Sequence, residues 1–424
     1  MRTANWWGYG LLGLLGLVLL AGFVTLALID PNRFRPQIAA AVLEATGREL
    51  ELEGSLQWSL WPRLAVSVGP GQLRDPRAST EAPILRWSDL GFGARWLPLL
   101  RGQLELGRIR IDAPTLALRI DARGRNNWQL PQATDAAGPS RWSFAIDALE
   151  LRDGALEFTD ARASRRIVID QISLTSAAWQ GEGPLRLELA GRLVQPGPIT
   201  EFELETTVSY AVERLELADM TAKLSLLMAK GDRLDLDIAL PLAESDLSNN
   251  QHRAPTIDVR SPVGKAALTL SDVSLDLSGA EPLGAANLDL RADSLRQVLQ
   301  SIGQALPTRD PDVLGAVSLA TQIELQPQLL RARELRLSID EYTFAGELRR
   351  LSADGVLEFE LSAPQLDIGR YAAPDDPGAE PFKFPLDALR ALRARGVLRI
   401  ESATLDDVRM EGVELRLRDN ADPP

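Results

Sequence analysis

Apolar and polar residues alternate with a period of two along most of the chain after residue 48. In RELELEGSLQWSLWPRLAVSV, residues 48–68, every even-numbered position from Leu50 to Val68 is apolar, Gly or Pro. The same alternation recurs at 116–120, 185–189, 234–240, 273–277, 317–325, 335–339, 357–361 and 413–417. Because successive side chains of a strand point to opposite faces, the pattern predicts antiparallel strands with one apolar and one charged face. We expect roughly 20 such strands.

An uncharged segment, Trp6 to Ile29, precedes the strands. As a helix it would extend about 36 Å, enough to cross a hydrocarbon core of about 30 Å. A cleaved signal peptide is the alternative, but its apolar region would be shorter and followed by a small-x-small site. The segment therefore predicts one membrane anchor. Its lipid-facing and interfacial side chains are Trp6, Trp7, Leu11, Leu14, Leu17, Leu20, Phe23 and Leu26.

Three short helices are predicted after the anchor. The first follows Pro36, a residue favoured at a first helical position, and stops at Gly47. The second lies near 293–306, is capped by Asp293 or Ser294 and stops at Pro307. The third is LDALRALRARG, which ends at Gly396. So few short helices cannot cover the apolar faces of about 20 strands.

These features divide the chain into five predicted regions. They are the anchor at 1–30, a juxtamembrane helix at 31–47, a first β-rich region at 48–250, a second β-rich region with the helix near 293–306 at 251–370, and a Pro-rich linker, short helix and terminal strands at 371–424.

Composition excludes several functions. The formal net charge of -13 disfavours nucleic acid as a partner, because binding phosphates requires a basic surface. Cys is absent, so the chain has neither disulfides nor a thiol nucleophile. The single His252 lies in SNNQHRAP, which we interpret as a solvated loop. No catalytic residue, metal site or cofactor is predicted.

Paired carboxylates are candidates for an enzymatic site, for instance that of an anchored hydrolase. Asp235 and Asp237 would lie on the outer face of a strand, and Asp310 and Asp312 in a loop bounded by Pro. Neither pair is accompanied by a nucleophile elbow or a phosphate-binding loop, so we predict that the protein is not an enzyme.

The apolar faces have three ways of being covered. The sheet can pack on another sheet, close as a barrel, or curl into a gutter whose lining meets an apolar ligand. Alternation alone leaves the three open.

Longer segments carry a family resemblance. The segment IDPNRFRPQIAAAVLEATGRELELEGSLQWSLWPRLAVSVGPGQL resembles the opening of the AsmA family of envelope proteins, as do IRIDAPTLALRIDARGRNNWQL, LELRDGALEFTD and LSIDEYTFAGEL further along. The positions that match the family's motifs include Gly47, Arg48, Gly124, Asn127, Trp128, Asp340 and Gly346.

The resemblance implies a single-pass protein of the bacterial inner membrane, with a long curled antiparallel sheet in the periplasm that resembles a gutter or taco. It further implies binding of membrane phospholipid and a role in lipid transport and in outer-membrane homeostasis or assembly. A scaffold for other envelope proteins, free of lipid, is the alternative. The residues predicted to line the groove are Leu50, Leu52, Leu56, Trp58, Leu60, Leu116, Leu118, Leu185, Leu187, Leu234, Leu236, Ile238, Leu275, Leu335 and Leu337.

Overall fold

The computed structural model describes residues 30–59, 64–75, 82–94, 105–128, 145–179, 183–211, 213–228, 232–279, 281–304, 306–351, 355–371, 394–405 and 408–417. This part of the chain is mainly β, with short helices. It forms two compact units, Met1–Gly197 and Pro198–Pro424. Residues 250 and 251, where the two predicted β-rich regions meet, lie between a strand that ends at Asp246 and a strand that begins at Gln251, and these two residues pair. The five predicted regions stay a prediction.

The described part of the first unit starts with a 3-10 turn, Pro31–Phe34, and helix α1 (Arg35–Thr46). The Asp30 carboxylate caps the turn by accepting a hydrogen bond from the Asn32 N–H. Gly47, with φ of 65°, ends α1 and donates its N–H to the carbonyl of Leu43. The helix predicted after Pro36 therefore forms.

Eleven strands follow among the described residues of the first unit. They are β1 (Glu49–Leu52), β2 (Leu56–Ser59), β3 (Leu64–Val68), β4 (Gly71–Arg74), β5 (Leu85–Trp87), β6 (Asp89–Ala94), β7 (Glu105–Asp112), β8 (Thr115–Ile120), β9 (Ala145–Asp160), β10 (Arg165–Ser176) and β11 (Leu185–Gln195). The segment 48–68 is thus three strands, and Gly54 lies between the first two. Its Cα approaches Gly69 so closely that a side chain there would collide with the Gly69 backbone.

The first eight strands are the halves of four longer, interrupted strands. On one side of the interruptions, β1 pairs with β4, β4 with β5, and β5 with β8. On the other side, β2 pairs with β3, β3 with β6, and β6 with β7. β7 and β8 then run parallel to successive parts of β9. The interruptions at Gly69, Ser88 and Ala113 lie beside one another, so they form one line across the sheet.

The described residues of the second unit form twelve strands, two short α-helices and one 3-10 turn, Val263–Lys265. The strands and α-helices are β12 (Thr200–Ala211), β13 (Arg214–Leu227), β14 (Arg233–Asp246), β15 (Gln251–Ser261), β16 (Ala266–Asp276), β17 (Leu283–Ala292), α2 (Leu295–Ser301), β18 (Val317–Gln326), β19 (Leu329–Ile339), β20 (Tyr342–Leu351), β21 (Leu357–Asp367), α3 (Ile368–Tyr371), β22 (Ala394–Leu405) and β23 (Val408–Leu417). Each strand pairs with the next along the chain, antiparallel except for the parallel pair β21 and β22.

A small core lies at one end of the second unit. Ile368 of α3 packs there with Ile400 and Ala403 of β22, and both β22 residues are at most 1% exposed. The cluster therefore packs α3, which follows β21, against β22, the strand that pairs in parallel with β21.

The two later helices differ from their predictions. Ser294 caps α2 as expected, by accepting from the Gln297 N–H, but the helix ends at Ser301 and leaves Ile302 and Leu306 each 42% exposed. The predicted third helix is wrong at its end, because residues 394–396 belong to β22 and pair with β21. The rest of that helix and its linker lie outside the described residues.

Within the described ranges, no helix combines the length and apolarity that crossing a membrane requires. The predicted anchor, Trp6 to Ile29, lies outside those ranges.

Candidate functional site

The second unit carries an apolar row that crosses nine neighbouring strands. Directly paired residues of neighbouring strands lie on one face of a sheet. The successive partners in this long apolar row, from β12 to β20, are Leu204, Ala222, Ile238, Val259, Leu268, Leu290, Leu319, Leu337 and Phe344. At about 4.8 Å between strands, the row extends roughly 38 Å across the sheet.

Most of the long apolar row remains partly open to solvent. Only Ala222 is fully buried, and the other eight side chains are half-buried. The fully buried cluster around Ile400 lies further along, in β22. A face of this width that is only half-buried marks a binding surface more often than an ordinary core.

The opposite face is charged. Glu203, Lys223, Asp237 and Arg260 are cross-strand partners from β12 to β15, so their charges alternate in sign, and all four are exposed. Adjacent opposite charges stabilise neighbouring strands and keep this face hydrated. The two faces of the sheet therefore differ sharply in polarity.

The first unit has two comparable rows. The first row is Leu56, Val68, Leu90, Ile111, Leu151, Leu174 and Leu189. The second row is Leu50, Leu73, Leu85, Leu116, Leu156, Ile169 and Leu193. The rows end on β11 at Leu189 and Leu193, which are four residues apart, so both rows lie on one face of the sheet. One row lies on each side of the line of interruptions.

Residues with positive φ keep the apolar side chains on one face. In β16 the apolar positions change from Leu268 and Leu270 to Val273 and Leu275, and Asp272 between them has φ of 53°. Leu268 pairs with Leu290 and Leu275 with Gly284, an even number of residues apart on β17, so both lie on the same face. Such a bulge inserts one extra residue and bends the strand.

The same device recurs in four other strands. Asp153 in β9, Gln171 in β10, Asp219 in β13 and Glu334 in β19 have φ between 50° and 52°, and each accompanies a shift of register with a neighbouring strand. These bulges were not predicted, although the sequence carries a signal for them: at each of these positions the apolar alternation changes phase around a polar residue.

The predicted groove-lining residues fall into three groups. Leu56 and Leu335 are buried, at 4% and 3% exposed. Leu60 lies outside the described residues, and Trp58 is placed in β2 opposite Val66. The remaining eleven are half-buried: Leu50, Leu52, Leu116, Leu118, Leu185, Leu187, Leu234, Leu236, Ile238, Leu275 and Leu337. That these residues contact lipid stays a prediction.

Comparison with known proteins identifies the family. The model of the AsmA family matches residues 6–372. The chain belongs to the AsmA family. It is also 30% identical to Protein AsmA of Escherichia coli (strain K12) over 148 residues, which are 33% of this chain and 24% of that protein. Membership in the AsmA family suggests a function in the cell envelope, and the family is not known for catalysis.

AsmA motif positions near α1 hold the first unit together. Arg48, 7% exposed, forms an ion pair with Asp75 and donates from Nη2 to the Asn127 carbonyl, 2.8 Å away. The Asn127 side chain accepts from the Arg119 N–H and donates to the Ala117 carbonyl, both at 2.8 Å. These contacts join the end of α1 to β8 and its turn.

The next two motif positions lie beside that junction. Gly124 has φ of 81° in the turn after β8, a conformation that favours glycine. The Trp128 ring is 6.1 Å from that of Phe158 in β9 and is 40% exposed.

The later AsmA positions stabilise β20 and its surroundings. The Asp340 carboxylate accepts from the N–H groups of Leu314 and Gly315, at 3.0 and 2.8 Å. Gly346 lies so close to β21 that a side chain there would collide with the Glu360 carbonyl oxygen. These positions have structural roles outside the long apolar row.

Titratable groups that the sequence analysis considered lie apart from one another. Asp235 and Asp237 are exposed on the charged face, as predicted, and Asp310 pairs with Arg370 at 2.7 Å. The loop prediction for His252 is wrong, because it lies in β15 opposite Ser245. In the described ranges, no group of three or more acidic or His side chains could hold a metal ion.

Proposed function

We propose that this AsmA-family protein binds phospholipid acyl chains on the apolar face of its sheet. In this proposal it is anchored once in the inner membrane of a bacterium, lies mainly in the periplasm, and acts in lipid transport and outer-membrane homeostasis or assembly. The long apolar row carries the proposal, since nine strands align apolar side chains there and eight of these are half-buried.

The bulges and interruptions support a curled sheet. Each bulge bends its strand and increases its twist, so the bulges in β9, β10, β13, β16 and β19 favour a sheet that curls into a gutter. The apolar face would then line the inside. Burying each CH₂ group of a lipid there would contribute about 0.8 kcal/mol, or about 10 kcal/mol for fourteen carbons.

Photo-crosslinking of the full chain in cells tests the proposal. Ile238, in the long apolar row, is replaced by p-benzoylphenylalanine. The same replacement at Asp237, the adjacent residue on the opposite face, is the matched control. After irradiation of cells with phosphorus-labelled lipid, we expect a labelled adduct at position 238 and little at 237. Equal labelling at both positions, or none at either in a normally expressed protein, contradicts the proposal.

Polar substitution gives a second test. Changing Leu234, Leu236 and Ile238 together to Asp places three charges on the apolar face without changing the opposite one. Phospholipid that co-purifies with the wild-type chain should be lost from this variant, as measured by mass spectrometry of solvent extracts. A wild-type chain that purifies free of lipid contradicts the proposal.

The second candidate is a non-enzymatic scaffold for outer-membrane proteins that carries no lipid. Strand β23 favours it, because its apolar side chain Val408 is 60% exposed and could pack against a partner protein. A lipid-free but folded wild-type chain would support this candidate.

A further inference from the structure

A second row on the apolar face of the second unit contains a polar pair. This rim row, near the hairpin ends of the strands, is Tyr210, Leu215, Ser245, His252, Leu275, Gly284, Leu325 and Leu330 in order of pairing. Tyr210 is 66% exposed and Leu330 42% exposed, so the row borders solvent. Ser245 and His252 occupy its middle, between Leu215 and Leu275.

His252 lies on the same face as the long apolar row. Its partner Leu275 lies on the same face as Leu268, because the β17 partners of these two residues are an even number of residues apart. Leu268 in turn pairs with Val259 of the long apolar row. The imidazole is half-buried, and its Nδ1 lies 2.9 Å from Ser245 Oγ. A polar side chain among leucines costs free energy unless a hydrogen-bonding partner compensates it.

The hydrogen bond with Ser245 determines what the imidazole can bind. When the serine hydroxyl donates to Nδ1, the neutral ring carries its proton on Nε2 and can donate it to an anion. Arg253, the next residue, points to the opposite face, where its partner is Glu244. His252 is therefore the donor that the central strands place on the apolar side.

The spacing along β15 suits an amphipathic ligand. Val259 follows His252 by seven positions in β15, a distance of about 23 Å at 3.3 Å per residue. A ligand with an anionic group at the rim can extend its apolar part along the strand to the long apolar row.

We propose that His252, positioned by Ser245, donates from Nε2 to a phosphate oxygen of the phospholipid whose acyl chains lie on the long apolar row. This inference rests on the proposed function. Free inorganic phosphate offers the same oxygen, so the test must separate the two sources.

The single His of the chain makes the test specific. Diethyl pyrocarbonate modifies imidazole nitrogens, and its product here reports on His252 alone, followed by peptide mass spectrometry. The full chain in detergent micelles is compared with the same micelles containing phosphatidylglycerol, a galactolipid with the same acyl chains, or inorganic phosphate. We expect phosphatidylglycerol to slow the modification of His252 about fivefold, because most of the protein is then in the lipid-bound form. The galactolipid and inorganic phosphate should have little effect.

Two variants refine the result. Ser245→Ala removes the partner of Nδ1 and should abolish the protection, while Arg253→Ala, on the opposite face, should preserve it. Persistence of full protection in Ser245→Ala would overturn the positioning role of the serine.

Each contrary outcome has a distinct meaning. Equal protection by the galactolipid shows that acyl chains alone cover His252, and equal protection by inorganic phosphate shows that the lipid is not the source; either overturns the proposal. Absence of protection, together with a lipid adduct at position 238, overturns the contact at His252 and leaves the proposed function standing. Absence of both contradicts both.

Discussion

The hydroxyl group of Tyr371 donates a hydrogen bond to Oδ2 of Asp340 at 2.6 Å. Burial, together with this hydrogen bond, raises the pKa of Tyr371 well above its usual value, so the phenol remains a donor at neutral pH. The contact joins α3 to the turn between β19 and β20, and the same carboxylate caps the backbone at Leu314 and Gly315.

Removing either partner should destabilise this end of the second unit. Tyr371→Phe should lower the free energy of unfolding by about 1.5 kcal/mol, because a hydrogen bond to a charged group is lost. Asp340→Ala should cost more, since it also leaves two backbone N–H groups without their acceptor. Thermal unfolding of the full chain measures both, and equal losses in the two variants would contradict this assignment.

Arg48→Ala should be among the costly substitutions in the first unit. Removing one partner of a largely buried ion pair costs about 3 to 5 kcal/mol, because the other charge remains in a poorly solvated position. Arg125→Ala is the control, since the Arg125 side chain is 73% exposed beside Asp121 and its loss should cost at most about 1 kcal/mol. Denaturant titrations measure the free energy of unfolding of both variants. Equal losses in the two would refute a stabilising role of the Arg48 ion pair.

The bulge at Asp272 gives a prediction about backbone conformation. Asp272→Gly should change stability little, because glycine adopts a φ of 53° without strain while the hydrogen bond that Asn287 Nδ2 donates to the Asp272 carboxylate is lost. Asp272→Val should lose about 1 to 2 kcal/mol, since a β-branched residue resists that conformation. Comparison of their melting temperatures tests this, and a Val variant as stable as the Gly variant would exclude the bulge.

Acid should weaken the turn after β14. Hydrogen bonds from Ser248 and Asn249 lower the pKa of Asp246 from 3.8 to about 2. Because the folded-state pKa is lower than the unfolded one, the stabilisation is present above pH 3.8 and is lost as the pH falls through about 2. The difference in melting temperature between wild type and Asp246→Asn should therefore shrink over that interval. A difference that stays constant down to pH 2 contradicts the assignment.

Local sequence determined which face of each strand is apolar. The alternation around Leu116, Leu187 and Leu236 corresponds to strands β8, β11 and β14, because side chains of an extended chain alternate whatever their neighbours. It likewise determined the start of α1 and its end at Gly47, since proline and glycine act through their own backbone preferences.

Tertiary structure decided the partners and the register. Alternation does not specify which strand lies beside which, so the parallel pairing of β9 with β7 and β8 emerges only in the sheet. It also decided the place of His252, where strand pairing outweighed the local loop preference of SNNQHRAP. The bulge at Asp272 lets Leu268 of the long apolar row and Leu275 lie on one face, although they are an odd number of residues apart in β16. Only the pairing with β17 reveals this, because register is a property of two strands together.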